Sequence, residues 1–215
     1  FYGPSEQRSI DTLERMLGEE QYRKVRNSLR ESGLRTGFTC LFYGTPGTGK
    51  TETVYQLAKK TGRKIIVADV SKLKNCFVGE SEKSLTKLFD DYRKCVKTMD
   101  IAPILLFNEA DAIFGIRQEG AQRAVDKMEN SLQNILLQEM EKLDGILIAT
   151  TNLTQNLDKA FERRFLYKVR FEKPSLETKS KIWSSMMPEL TESQAEELAR
   201  EYDFSGGQIE NISRK

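Results

Sequence analysis

The stretch Gly44-Thr45-Pro46-Gly47-Thr48-Gly49-Lys50-Thr51 constrains this chain more than any other, because it fits the spacing G-x-x-x-x-G-K-[ST]. A short apolar run, Phe38 to Tyr43, precedes it; Val54, Leu57 and Ala58 follow at helical spacing before a stop at Gly62. The motif is therefore placed between a buried strand and the N-terminus of a helix. Glycines let the backbone wrap with its N–H groups turned inward, and the helix dipole adds positive potential, so phosphates are expected to bind the main chain here. Lys50 is expected to reach the β and γ phosphates and the Thr51 hydroxyl to ligate Mg²⁺, with Glu52 opening the helix beside them. The expected ligands are ATP and Mg²⁺. A Gly-rich turn matching by accident would lack this strand and helix on its flanks.

The surrounding pattern alternates. Ile65 to Val67, Ile104 to Phe107, Ile146 to Ala149 and Tyr167 to Phe171 read as further buried strands. Leu85, Leu88, Phe89 and Tyr92, and then Met128, Leu132, Ile135, Leu136 and Met140, mark one face each of intervening helices. Strands alternating with helices predict an α/β fold with a doubly wound, parallel, five-stranded sheet. Before the first strand, Ile10, Leu13 and Leu17, then Tyr22, Val25 and Leu29, predict a pair of helices. After Pro174 the strands stop, and Thr191 and Ser205 each stand three positions before a Gln, as in a capping box. The expected organisation is an N-terminal helical extension over 1–37, an α/β unit over 38–173 and a small helical lid over 174–215. The abrupt start at Phe1 and a helical pattern still running at Lys215 suggest a piece of a longer protein.

Composition restricts the chemistry. Lys and Arg number 34 against 32 Asp and Glu, a net charge of +2, which provides no broad field for nucleic acid or membrane surfaces. With no histidine in the chain, His-based proton transfer is excluded and catalysis falls to carboxylates or cations. Cys40, Cys76 and Cys95 are odd in number without paired spacing, which fits a reducing compartment and makes the cytoplasm the expected location. No apolar stretch approaches the roughly 20 residues that span a bilayer.

Ile104-Leu-Leu-Phe-Asn108-Glu109-Ala-Asp111 supplies the acidic partner of the phosphate loop, and the two motifs together resemble the AAA family of the AAA+ P-loop ATPases. The resemblance runs from about Phe38 to Lys215. In that family the strand usually ends Asp-Glu, the Asp holding Mg²⁺ through water and the Glu activating the attacking water. Here Asn108 replaces the Asp: an amide oxygen still accepts a hydrogen bond but brings no charge, which implies nucleotide binding with slowed hydrolysis. Glu109 is the expected base.

Further segments follow in the family's order. Ile146-Leu-Ile-Ala-Thr-Thr-Asn152 resembles the strand with the sensor asparagine, which makes Asn152 the residue that positions water. Leu157 to Phe165 resembles the segment that presents arginine fingers, implying that Arg163 and Arg164 act on the ATP of a neighbouring subunit. Phe77, Val78 and Gly79 match a pore loop that grips polypeptide, and Gly115 to Arg123 stands where a second such loop lies. Asp69 matches a position that restrains the catalytic Glu, although a carboxylate there would repel Glu109. In the lid, Ile182, Gly206 and Gly207 match contacts to the adenine, Met186 stands where the family has a histidine, and Trp183 and Met187 read as lid core. The resemblance implies an ATPase in a homo-oligomeric ring, a hexamer, that remodels or unfolds protein substrates. Two alternatives stand beside it: a nucleotide-gated scaffold with weakened hydrolysis, and a DNA-associated motor or loader, for which no basic face or recognition module is apparent.

Overall fold

The computed structural model describes residues 2–68, 70, 80–115, 124–155 and 157–214, with the side chains of 112 and 124–128 left aside. Phe77, Val78, Gly79 and Asp69, and the segment from 116 to 123, lie outside the described residues, so the expectations for the pore loops and for Asp69 rest on sequence.

Five strands, β1 (Phe38–Gly44), β2 (Ile65–Ala68), β3 (Ile104–Phe107), β4 (Ile146–Thr151) and β5 (Tyr167–Phe171), form one sheet in the order β2-β3-β4-β1-β5. Every pairing is parallel, with Phe38 opposite Ile146, Ile104 opposite Ile146 and Cys40 opposite Tyr167. β3 and β4 are buried at every residue, as a parallel strand covered on both faces must be, which explains their unbroken apolar runs. The edge strand β5 alternates instead: Val169 and Phe171 point in, Lys168 and Arg170 out, and those charges discourage a further strand from pairing.

The helices are α1 (Pro4–Leu17), α2 (Glu19–Glu31), α3 (Lys50–Thr61), α4 (Glu80–Thr98), the single turn α5 (Asp111–Phe114), α6 (Ala124–Glu141), the single turn α7 (Lys159–Glu162), α8 (Leu176–Met186), α9 (Glu192–Glu201) and α10 (Gly206–Ser213). Helix α1 buries Ile10, Leu13 and Leu17 as its spacing predicts. Helix α2 does not follow the expected stripe: Tyr22 is buried, but Val25 is 38% exposed. Polar groups dock it in place of that stripe. Arg26 grips Asp144 through two bonds of 2.8 and 2.7 Å, Arg30 adds a third at 3.1 Å, and Thr36 donates to the same carboxylate at 2.7 Å. Arg63 lies buried at the junction of α1 and α2, donating to the carbonyls of Leu17 and Ala102 and to Glu19, with its guanidinium 4.6 Å from the centre of the Tyr22 ring.

The main core joins the sheet to α1, α3, α4 and α6. Within it the Tyr92 hydroxyl of α4 accepts the Ile146 N–H at 2.7 Å and lies 2.9 Å from the carbonyl oxygens of Pro103 and Ile146, so the starts of β3 and β4 share one anchor. A separate cluster of Ile182, Trp183, Ala195, Ala199 and Ile209 holds α8, α9 and α10 together, with Met187 packed against it. Thr191 and Ser205 cap α9 and α10, each with the reciprocal Gln bond that the sequence spacing predicts.

Candidate functional site

A cavity of about 500 Å³ lies where the C-terminal ends of β1, β3 and β4 meet the N-terminus of α3 and the helical tail, and it falls within the size range of small-molecule sites. Pro46 to Glu52 form its floor, Glu109, Thr150, Thr151 and Asn152 one wall, and Ile182, Met186, Gly206 and Gly207 its cover. Ten of the residues singled out from the phosphate loop and tail are thus in one place: Pro46, Gly47, Thr48, Gly49, Lys50, Thr51, Glu52, Ile182, Gly206 and Gly207.

Gly44 and Thr45 lie behind this floor and shape it. A Cβ on Gly44, whose φ is +145°, would come within 2.0 Å of the Phe171 carbonyl oxygen, so the strand can turn there only without a side chain. Gly47, at φ +74°, meets the tail: its carbonyl accepts the Gly207 N–H at 3.1 Å, and a Cβ on it would fall 2.3 Å from Ser205 Oγ. Lys50 is 7% exposed and its ammonium donates to the carbonyls of Gly44 (2.9 Å) and Thr45 (2.8 Å). Burial lowers its pKa against the opposing pull of Asp111 and Glu109.

The wall is built from the ends of β3 and β4. Strand β3 ends at Phe107, so Asn108 and Glu109 stand in the turn beyond it. Asn108 Oδ1 accepts the Thr51 hydroxyl at 2.7 Å and the Thr150 hydroxyl at 2.9 Å. Glu109 has φ +52°, a left-handed conformation that no other non-glycine among the described residues adopts. Such a backbone costs about 1–3 kcal/mol and persists only where its surroundings hold it. Here its N–H donates to Thr150 Oγ1 at 3.0 Å and the next N–H, of Ala110, to the Thr150 carbonyl at 2.9 Å, while the Glu109 side chain is exposed to the cavity.

Asp111 turns away from the cavity into β4. Its carboxylate accepts the Thr151 hydroxyl, the Asn152 N–H at 2.5 Å and Asn152 Nδ2 at 3.2 Å. The far end of the same helical turn is fixed by Gln133 of α6, which donates to the carbonyls of Ile113 (2.8 Å) and Gly115 (3.0 Å). One N–H of the Asn152 amide is thereby committed to Asp111, while Asn152 itself lines the cavity.

Several contributors escaped sequence reasoning. Tyr2, Gly3 and Glu6 line the cavity from the N-terminal side. The Tyr2 hydroxyl hydrogen-bonds Thr53 at 2.9 Å, and Glu6 accepts the N–H groups of Gly3 (2.6 Å) and Glu172 (2.7 Å), joining the start of α1 to the end of β5. No periodicity marks these residues; the Gly-Pro at a helix start was the one available signal. Met186 does line the cavity, while Trp183 and Met187 belong to the tail's apolar cluster.

Arg163 and Arg164 lie apart from the cavity and differ from each other. Arg163 is exposed at the end of α7 with no ion pair among the described residues. Arg164 is half-buried and paired with Glu141, which also stands 3.8 Å from Arg35.

The residues fit ATP with Mg²⁺. At Gly49, with φ +86°, a Cβ would enter open space on the cavity floor, which leaves the backbone there accessible to a phosphate. Thr51 gives its proton to Asn108 and so keeps its lone pairs for a hard cation, which takes oxygen ligands.

An all-parallel sheet carrying a phosphate loop between β1 and α3, with an acidic turn after β3, defines a P-loop nucleotide-binding protein. The chain belongs to the AAA family: the model for "ATPase family associated with various cellular activities (AAA)" matches residues 40–173. Among its relatives are a proteasome-associated ATPase of Streptosporangium roseum, 30% identical across 86% of this chain and 34% of its own length. Fidgetin-like protein 1 of Drosophila melanogaster is 27% identical across 86% of the chain and 37% of its own length, and protein CdcH of Halobacterium salinarum 32% across 81% and 24%. The chain thus spans between about a quarter and somewhat over a third of the length of these relatives. Membership supports nucleotide binding and ATPase chemistry. No helix among the described residues is long and apolar enough to cross a membrane.

Proposed function

We propose that this chain binds MgATP in the cavity beneath the helical tail and hydrolyses it, driving the remodelling or unfolding of a protein substrate as part of a homo-oligomeric ring, a hexamer. The observation that carries the reading is the convergence on one cavity of the phosphate loop, Glu109 and Asn152. When bound, Mg²⁺ supplies neutralisation of phosphate charge. Lys50 holds the β and γ phosphates and Thr51 offers its oxygen to the metal, with Asn108 accepting the Thr51 hydrogen bond. Glu109 accepts a proton from a water placed with the help of Asn152; the water oxygen bonds to the γ-phosphorus as the β–γ bridging P–O bond breaks, leaving ADP and phosphate.

Arg163 is the better candidate to act on a neighbour's ATP, since Arg164 is already paired with Glu141. In GTPases such a finger is worth about 10³- to 10⁵-fold in rate, so turnover should depend on assembly. The protein substrate is supported by the likeness to a proteasome-associated ATPase and by the match of Phe77, Val78 and Gly79 to a substrate-gripping loop. The odd number of cysteines without paired spacing supports a reducing compartment, and the cytoplasm is the proposed location.

Asn108 supports a second reading, a nucleotide-gated scaffold in which binding, rather than turnover, controls assembly. Mg²⁺-dependent phosphate release measured across protein concentration separates the two. Turnover that rises with concentration and disappears in Glu109→Gln supports the motor; ATP binding without turnover, restored by Asn108→Asp, supports the switch.

A further inference from the structure

An asparagine in place of the metal-site aspartate poses a problem of orientation. A carboxylate offers two equivalent oxygens, whereas an amide has an accepting end and a donating end. Turned the wrong way, Asn108 would direct N–H groups at the Thr51 oxygen that the metal needs and would leave the Thr150 proton without an acceptor in a residue only 1% exposed. The surroundings resolve this. The Glu109 N–H can only donate, and it does so to Thr150 Oγ1 at 3.0 Å. The Thr150 hydroxyl proton then points to Asn108 Oδ1 at 2.9 Å, and the Thr51 proton fills that oxygen's other lone pair at 2.7 Å. Two hydroxyl donors on one oxygen fix the amide with its carbonyl toward Thr51.

We propose that Thr150 is a positioning residue whose hydroxyl orients the Asn108 amide, so that this neutral side chain accepts the Thr51 hydrogen bond as a carboxylate would, while the same oxygen anchors the backbone of Glu109. The inference rests on the MgATP reading of the cavity. It makes positions 108 and 150 interdependent: with Asp at 108 there is no amide to orient, and the hydroxyl at 150 is needed only for the Glu109 N–H.

The test is a cycle of Thr150→Val, Asn108→Asp and the double variant, with Thr150→Ser as the conservative control. A fluorescent ATP analogue is titrated in EDTA and then across Mg²⁺ concentration, with turnover followed in parallel. Thr150→Val is expected to weaken Mg²⁺ affinity about 10-fold, the lower range for a lost outer-shell partner, while metal-free ATP binding is retained and reports the fold. Thr150→Ser should stay within about 2-fold of the unsubstituted protein, since it keeps the hydroxyl. In the Asn108→Asp background Thr150→Val should change Mg²⁺ affinity less than about 3-fold, because either carboxylate oxygen accepts the Thr51 proton. Equal penalties in both backgrounds, or none in either, would overturn the proposal and leave the site reading intact. Absence of ATP binding by the unsubstituted protein would overturn both.

Discussion

The phosphate loop and the wall facing it are made by different means. The loop works through its main chain: Gly44 and Gly47 let the backbone into places a side chain would block, and Lys50 is tucked against carbonyls of the loop itself. The wall works through side-chain polarity, with Asn108, Thr150, Asp111, Thr151 and Asn152 bonded in definite directions and Glu109 held left-handed among them. A main-chain site depends on space and is indifferent to most side chains. A side-chain wall depends on which end of each group donates, so one exchanged atom can reverse it.

That contrast can be broken or sharpened by substitution. Glu109→Gln, nearly isosteric, should lower phosphate release about 10²- to 10⁴-fold while ATP affinity in a direct binding titration stays unchanged; a parallel loss of affinity would mean that the wall also binds. Gly47→Ala should weaken ATP binding about 10- to 100-fold, because a Cβ would strain a residue at φ +74° and strike Ser205. Normal affinity in that variant would break the main-chain account. Asp111→Asn must present one amide end where the carboxylate accepted three bonds, and is expected to cost about 10-fold in kcat, as loss of an orienting partner does, with little change in KM.

The smallest effect should come from outside both regions, at Asp144. Its bonds to Arg26 hold its pKa down at about 2, with Thr36 and Arg30 assisting against desolvation. The sign follows from linkage: the unfolded carboxyl takes up a proton near pH 4, so the pair's contribution is full above that value and is lost as pH falls through about 2. Asp144→Ala should lower stability at neutral pH by about 1–2 kcal/mol in urea unfolding, flatten the acid limb below about pH 4, and leave ATP affinity as it was.

The same contrast sets what the sequence makes legible. All five strands and the loop were readable, because apolar runs and glycine spacing are local records of burial and backbone path. The tail contacts Ile182, Gly206 and Gly207 followed from resemblance, and the cavity contains them. Thr150 and Asp111 were not assigned roles, because a threonine inside a strand and a carboxylate in a turn acquire meaning only from partners about 40 residues away in the chain, at Asn108, Thr151 and Asn152. Tyr2 and Glu6 were missed for the same reason: their bonds run to Thr53 and Glu172. The stripe on α2 misled at Val25 because charge pairing, which leaves no periodic trace, docks that helix.

One contact has a mechanical meaning. Side chains between packed elements behave as springs, since a rotamer change can absorb a displacement before it reaches the next backbone. Between Gly47 and Gly207 there is no such spring: carbonyl meets N–H at 3.1 Å, main chain on main chain. The joint is direct, so a displacement of the phosphate loop at Gly47 meets the first turn of α10 with no side chain between them to absorb it.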